Sequence, residues 1–243
     1  MSYLLAFALA LGISMLLTPV VKRLAFAIGA VDRPVLSRKI HNKPIARLGG
    51  VAIFAAFLIP VLVFLPLSRP LLGLIGGTSL LLIIGVIDDI RGLSPWVKLF
   101  WQFVAASVTL AGGIGIYNLT NPLGGVVALD WGRFAVDLGW WRFHITPVAN
   151  LLSLLWMVGL INAINFMDGL DGLAAGVSGI AAFIIFLLSI SAGVDQPEVA
   201  LLAIILVGAT LGFLPHNFYP ARIFMGDGGS QFLGFSAGAL AIM

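Results

Sequence analysis

Cysteine is missing altogether, and charge is scarce: of 243 residues only 9% are Asp, Glu, Lys or Arg, and three are His. The first absence excludes disulfides and thiolate metal centres. The second excludes an ordinary soluble domain, in which about 25% of residues are charged. His41, His144 and His216 lie too far apart in sequence for a recognisable ligand motif. What fills the chain instead is apolar: 60% of residues are hydrophobic and the mean hydropathy is +1.12. Runs near 20 residues recur, each long enough at about 1.5 Å per residue to cross about 30 Å of hydrocarbon. The pattern reads as an all-α polytopic membrane protein. A net charge of +3 would suit nucleic acid only if the basic residues formed one soluble patch, so no nucleic-acid partner is expected.

About eight spans are predicted, over residues 3–21, 49–67, 71–87, 96–116, 147–164, 172–189, 198–214 and from about 231 onward. Lys22 and Arg23 follow the first span rather than precede it, unlike the basic start of a cleavable signal peptide. Residues 22–47 hold seven of the 13 basic residues, which places that loop in the cytoplasm by the positive-inside rule. The resulting map has the N-terminus outside, ten basic residues inside and three outside. Residues 117–146 form the longest external segment, read as a small hairpin or interfacial flap with Trp131, Trp140 and Trp141 at headgroup level.

On this map Asp88, Asp89, Asp168, Asp171 and Asp227 all fall at cytoplasmic ends of spans. The stretch Asn162 to Leu173, NAINFMDGLDGL, sets two Asn and two Asp between apolar runs. A single Asp-Gly pair is ordinary turn chemistry; four polar side chains exceed what a turn needs, and Asp at a membrane edge marks function by default. Five carboxylates at one mouth repel each other and any phosphate, by about 4 kcal/mol for a like pair about 4 Å apart at an effective dielectric near 20. A divalent cation resolves the conflict, and an all-oxygen donor set points to Mg²⁺ or Mn²⁺. Asp88 and Asp89 diverge by about 100° if still helical, so one is assigned to proton abstraction and the other to metal or to orienting its partner. Asp227, in MGDGGS, lies on a Gly-rich turn whose N–H groups suit a phosphate. The basic loop suits the outer phosphates of an anionic substrate, or simply anionic lipid. A cation-coupled transporter is the competing reading, although it would hold acids nearer mid-helix.

Four segments, HNKPIARLGG (41–50), DDIRGLSPWVKL (88–99), NAINFMDGLDGLAAG (162–176) and PARIFMGDGGSQFLGF (220–235), together resemble the polyprenyl-phosphate N-acetylhexosamine-1-phosphate transferases. The resemblance implies an enzyme of the inner, cytoplasmic membrane that moves a sugar-1-phosphate from a UDP-sugar to undecaprenyl phosphate, releasing UMP, with Mg²⁺ as cofactor. PIARLGG resembles the N-acetylglucosamine-1-phosphate branch. By the same resemblance Asp88 matches the base or nucleophile, Asp89 its partner, and Asp227 the metal ligand. Asn165, Asp168 and Asp171 match a nucleotide-binding loop, while Lys43 and Phe224 match a basic contact and an aromatic near the uridine. Members usually have ten or eleven spans and a later loop with a His-rich motif. Residues 1–243 are therefore expected to form a single transferase domain lacking those last helices, or a non-catalytic member that only binds lipid or partners. A homodimer is left open.

Overall fold

In the computed structural model, residues 2–32, 44–121, 123–129, 131–137 and 142–243 are described, with the backbone alone for residues 136 and 142–144. Lys43 and His41 lie outside the described residues, as do Trp140 and Trp141. Eight helices carry the described fold: α1 (Ser2–Ile28), α2 (Gly49–Phe64), α3 (Arg69–Arg91), α4 (Pro95–Ala111), α5 (Pro147–Met167), α6 (Leu173–Ser189), α7 (Pro197–Asn217) and α8 (Gly226–Leu240). α1, α3, α5 and α7 are long and apolar enough to cross a membrane, and α2 and α6 are shorter apolar helices. The chain is thus a multi-pass, all-α membrane protein. Leu4, Leu16, Val63, Ile180 and Leu188 face outward, as expected where lipid replaces water.

Helix starts follow local chemistry. Ser68 accepts from the N–H of Leu71 and Ser94 from that of Val97, each just before a proline in the first turn. Two helices occupy the interior. α7, buried along most of its length, packs on α1, α6 and α2; α8 packs on α3, α5, α2 and α6. Small residues permit the close approaches: Gly208 and Gly212 lie against the backbone of Phe7 and Leu11, and Ser14 Oγ donates to Ala209 O at 2.7 Å. Thr109 Oγ1 likewise donates to Gly73 O at 3.0 Å, joining α4 to α3.

The bundle has two distinct ends. At one, β1 (Val31–Asp32) pairs antiparallel with β2 (Ile45–Ala46), close to the start of α2. At the other, the predicted flap resolves into two hairpins, β3 (Asn118–Thr120) with β4 (Val126–Ala128) and β5 (Phe134–Asp137) with β6 (Arg142–Ile145).

Several expected boundaries are corrected. α1 runs on to Ile28, so Lys22 and Arg23 belong to the helix rather than to a loop; long basic side chains reach the interface from inside a helix end. α3 includes Asp88 and Asp89, and α5 includes Asn165, which was expected in a loop. The MGDGGS turn is instead the first turn of α8, which begins at Gly226 and not near Gln231.

Candidate active site

The acidic end is assembled by backbone before any charge meets another. Phe224 N donates to Ala46 O at 2.8 Å, and Phe224 O and Met225 O accept from Gly49 N and Gly50 N at 3.0 and 2.8 Å. The chain leading into α8 therefore satisfies the free N–H groups that open α2. Arg47, caught between these contacts, is held over the start of α8. Gly226 is required at the junction: its φ is +74°, and a Cβ there would strike Arg47 O and the Asp89 carboxylate.

Asp89, with only 1% of its side chain exposed, reaches from α3 to the N-terminus of α8. Its Oδ1 accepts from Asp227 N at 3.0 Å and its Oδ2 from Gly228 N at 3.5 Å. It thereby takes two N–H groups that α8 has no carbonyl to satisfy, where the helix dipole favours an anion. Arg47 Nη2 lies 3.4 Å from Asp89 Oδ1 and 3.5 Å from Asp227 Oδ1. Asp88 turns the other way: Oδ1 accepts from Leu93 N just beyond the end of α3, and Oδ2 lies 3.0 Å from Lys98 Nζ. The same ammonium is 2.9 Å from Asp227 Oδ2. Asp227 is thus held between two cations, Lys98 from α4 and Arg47 ahead of α2, while Asp88 and Asp89 flank it from α3.

Asp168 caps the end of α5, outside its span. Burial pushes its carboxyl up to about 8, the charges of Asp227 and Asp89 push in the same direction, and Arg47 opposes them. Asp168 is therefore within electrostatic reach of the cluster. Asp171 has a local task, its Oδ2 accepting from Ala221 N at 2.8 Å. Beside it, Asn217 accepts from Gly172 N at 3.1 Å and donates to Ile223 O at 3.0 Å, so the α5–α6 and α7–α8 turns are tied together. Asn162 belongs to neither turn. Its Nδ2 donates to Gln102 Oε1 and to Val158 O, both at 2.8 Å, inside the bundle. Phe224 is half-buried beside the site, its backbone laced to β2 and α2.

Five predicted acids thus gather at one end, with Asn165 and Phe224 on the elements around them. Sequence reading missed the role of Lys98, which it counted only as topological charge, and took Arg47 only as one of seven cations in a basic loop suited to substrate phosphates or lipid, not as a partner of Asp89 and Asp227. A signal for Lys98 existed: it lies in the first turn of an apolar helix with Ser94 and Gln102 at i−4 and i+4, so no acid on its own helix can pair with it.

Residues 71–243 match the family model of glycosyl transferase family 4. Over 239 residues the chain is 37% identical to the "Probable undecaprenyl-phosphate N-acetylglucosaminyl 1-phosphate transferase" of Bacillus subtilis (strain 168), covering 98% of this chain and 62% of that protein. It is 37% identical over 232 residues to the decaprenyl-phosphate N-acetylglucosaminephosphotransferase of Mycolicibacterium smegmatis, covering 90% of this chain and 54% of the relative. The phospho-N-acetylmuramoyl-pentapeptide-transferase of Pelobacter propionicus is 34% identical over 221 residues, covering 81% and 58%. The chain therefore spans little more than half the length of these relatives.

Proposed function

This chain belongs to glycosyl transferase family 4, and on that premise we propose that it carries the catalytic end of a polyprenyl-phosphate sugar-1-phosphate transferase. The proposed reaction takes N-acetylhexosamine-1-phosphate from a UDP-sugar to undecaprenyl phosphate at the cytoplasmic face of the inner membrane, as the first membrane step of a cell-wall or surface polysaccharide. The observation that carries the reading is the convergence of Asp88, Asp89 and Asp227 on Lys98 and Arg47 at one mouth of the bundle. A lipid phosphate at headgroup depth and a soluble diphosphate can meet there.

In this reading an oxygen of the lipid phosphate attacks the β-phosphorus of the UDP-sugar. The new P–O bond forms as the bond from that phosphorus to the bridging oxygen breaks, and UMP leaves with the electron pair. Asp88 takes the proton of the lipid phosphate where it is still present. Lys98 and Arg47 exchange carboxylate partners for phosphate oxygens, which keeps the site's charge near balance. Asp89 holds α8 in place and acts through Asp227. Asp168 and Asn165 face the nucleotide-sugar, Asp171 fixes the turn behind them, and Phe224 and Lys43 serve the uridine side.

Among the described residues no three acids or histidines form a closed metal cage. The donor set still fits Mg²⁺ or Mn²⁺, because two carboxylates, Asp88 and Asp227, already share one cation in Lys98, and Mg²⁺ usually takes one or two carboxylates plus substrate phosphates. Asp227 is the proposed ligand. A bound metal would supply charge neutralisation on the diphosphate and the departing UMP. A transporter reading has less support, since the acids sit at helix ends around one mouth rather than at mid-helix.

Radiolabelled transfer from several UDP-sugars to undecaprenyl phosphate tests the proposal. Labelled lipid with equimolar UMP supports it. No transfer from any donor by the full-length protein would overturn it.

A further inference from the structure

One turn below the carboxylates, α8 carries a side chain that the proposed reaction leaves unused. Gln231 is fully buried, and among the described residues neither its Oε1 nor its Nε2 has a hydrogen-bonding partner. Buried amides are otherwise almost always bonded, to protein or to ordered water. The register of the helices shows what Gln231 faces. It follows Asp227 by four residues and shares its side of α8. Gly228 and Phe235 pack on α3, at Gly85 and Gly77, while Gly234 and Gly238 pack on α5, near Ile161 and Leu160. Gln231 lies between these two sets, within about 60° of each around the helix axis. It points into the seam of α3 and α5, which α4 closes by packing on both.

α4 runs alongside in the same direction. Lys98 meets Asp227, and two turns deeper Phe235 shares its contact at Gly77 with Ala105 and Thr109. The α4 residue one turn below Lys98 is Gln102, also buried and bonded to Asn162 of α5. Gln231, Gln102 and Asn162 therefore make an uncharged amide tier directly beneath the charged one.

We propose that this tier is an internal hydration site: Gln231 holds a water that reaches up to Asp227, and so fixes the orientation in which Asp227 meets a divalent cation. The second half rests on the reading of Asp227 as a metal ligand; the first half does not. The chemistry of the tier selects water. An anion needs positive charge, which stops at Lys98 and Arg47, and a cation needs carboxylates, which stop at Asp227. Amides offering donors and an acceptor suit a small neutral molecule that is both, and an internal water takes two to four such partners. Gln231 is thus a positioning residue, acting through Asp227. Outer partners of this kind change metal affinity by about 10- to 100-fold when removed.

The test measures Mn²⁺ affinity by electron paramagnetic resonance, and the metal-free thermal midpoint, in wild type, Asp227→Asn and Gln231→Met. Methionine keeps the length and loses the amide. The metal-free midpoint of Gln231→Met is expected to fall by a few degrees, with Mn²⁺ binding about 10- to 100-fold weaker. A higher midpoint with unchanged Mn²⁺ affinity would overturn the proposal, because an amide without water is relieved by an apolar replacement. A lower midpoint with unchanged affinity upholds the hydration site and overturns its positioning role. If wild type and Asp227→Asn bind Mn²⁺ equally, the ligand reading of Asp227 fails, and the metal-free midpoint alone decides the hydration site. Should Gln231→Met not fold, Gln231→Asn draws the amide back by one methylene. Its Mn²⁺ affinity is expected to be lower than wild type, and equality overturns the positioning role.

Discussion

Lys98→Met removes the ammonium that, among the described residues, Asp88 and Asp227 share. The two contacts, 3.0 and 2.9 Å, each carry a gross attraction of roughly 5 kcal/mol at an effective dielectric near 20. Desolvation offsets much of this, and removing one partner of a buried pair costs about 3–5 kcal/mol. Lys98 is 26% exposed, which places the loss at the low end, about 3 kcal/mol. For a chain of this size about 1 kcal/mol moves the midpoint by about 2–4 °C, so the metal-free protein in nanodiscs should melt about 6–12 °C lower. The same change leaves two carboxylates without their shared cation. Added Mg²⁺ should therefore raise the midpoint of the variant by more than it raises wild type, and recover most of the loss. Differential scanning fluorimetry with and without Mg²⁺ reads both effects. A metal-free midpoint within about 2 °C of wild type, together with an equal Mg²⁺ response, would refute the idea that Lys98 neutralises this pair.

Three further outcomes follow from the geometry. Gly226→Ala combines a positive φ, which costs about 1–3 kcal/mol in strain, with overlap onto Arg47 and Asp89, and should lower the thermal midpoint and abolish transfer together; a variant with wild-type melting would place Gly226 outside any tight junction. Asp168 gives a pH dependence. Its folded pKa, about 8, exceeds its unfolded value of about 3.9, so its contribution to stability is complete below about pH 4 and is lost as pH rises through about 8. Metal-free melting curves from pH 5 to 9 should fall for wild type and flatten for Asp168→Asn, and parallel slopes would assign the dependence elsewhere. For topology, single cysteines replacing Leu123 and Tyr219, both highly exposed and at opposite ends of the bundle, should label from opposite sides of a sealed vesicle. Labelling of both from one side would overturn the orientation map.

The membrane class and the helix order were legible because apolar runs of about 20 residues have few alternatives, and the alternation of those spans placed the five acids at one end, with charge asymmetry used only to name the side it faces. Helix ends were less legible. Lys22 and Arg23 looked like loop residues, yet a basic side chain at a span's end extends to the interface without breaking the helix. Glycines hid the start of α8: in MGDGGS they signal a turn, but Gly228 and Gly229 are there because Gly85 and Gly50 pack onto them. The pairings of Asp89 with the first N–H groups of α8, and of Lys98 with Asp88 and Asp227, join residues ten to 139 positions apart, beyond the reach of any local pattern. Asn162 was grouped with its neighbours in sequence, while the helix turns it inward to Gln102, away from the acids it accompanies.

The central claim is that the cluster around Asp88 performs phosphoryl transfer, and the turnover of Asp88→Asn in the full-length protein tests it most directly. Asparagine keeps the shape and an acceptor for Leu93 N but cannot take the proton. The account predicts a loss of about 10²- to 10⁴-fold in kcat, with part of it regained as pH rises and the lipid phosphate loses its proton unaided. A pH-insensitive loss, with wild type exchanging UMP into UDP-sugar in the absence of lipid, would make Asp88 a covalent nucleophile instead. Near-wild-type turnover of Asp88→Asn at neutral pH would contradict both and leave Asp88 as the cap that closes α3.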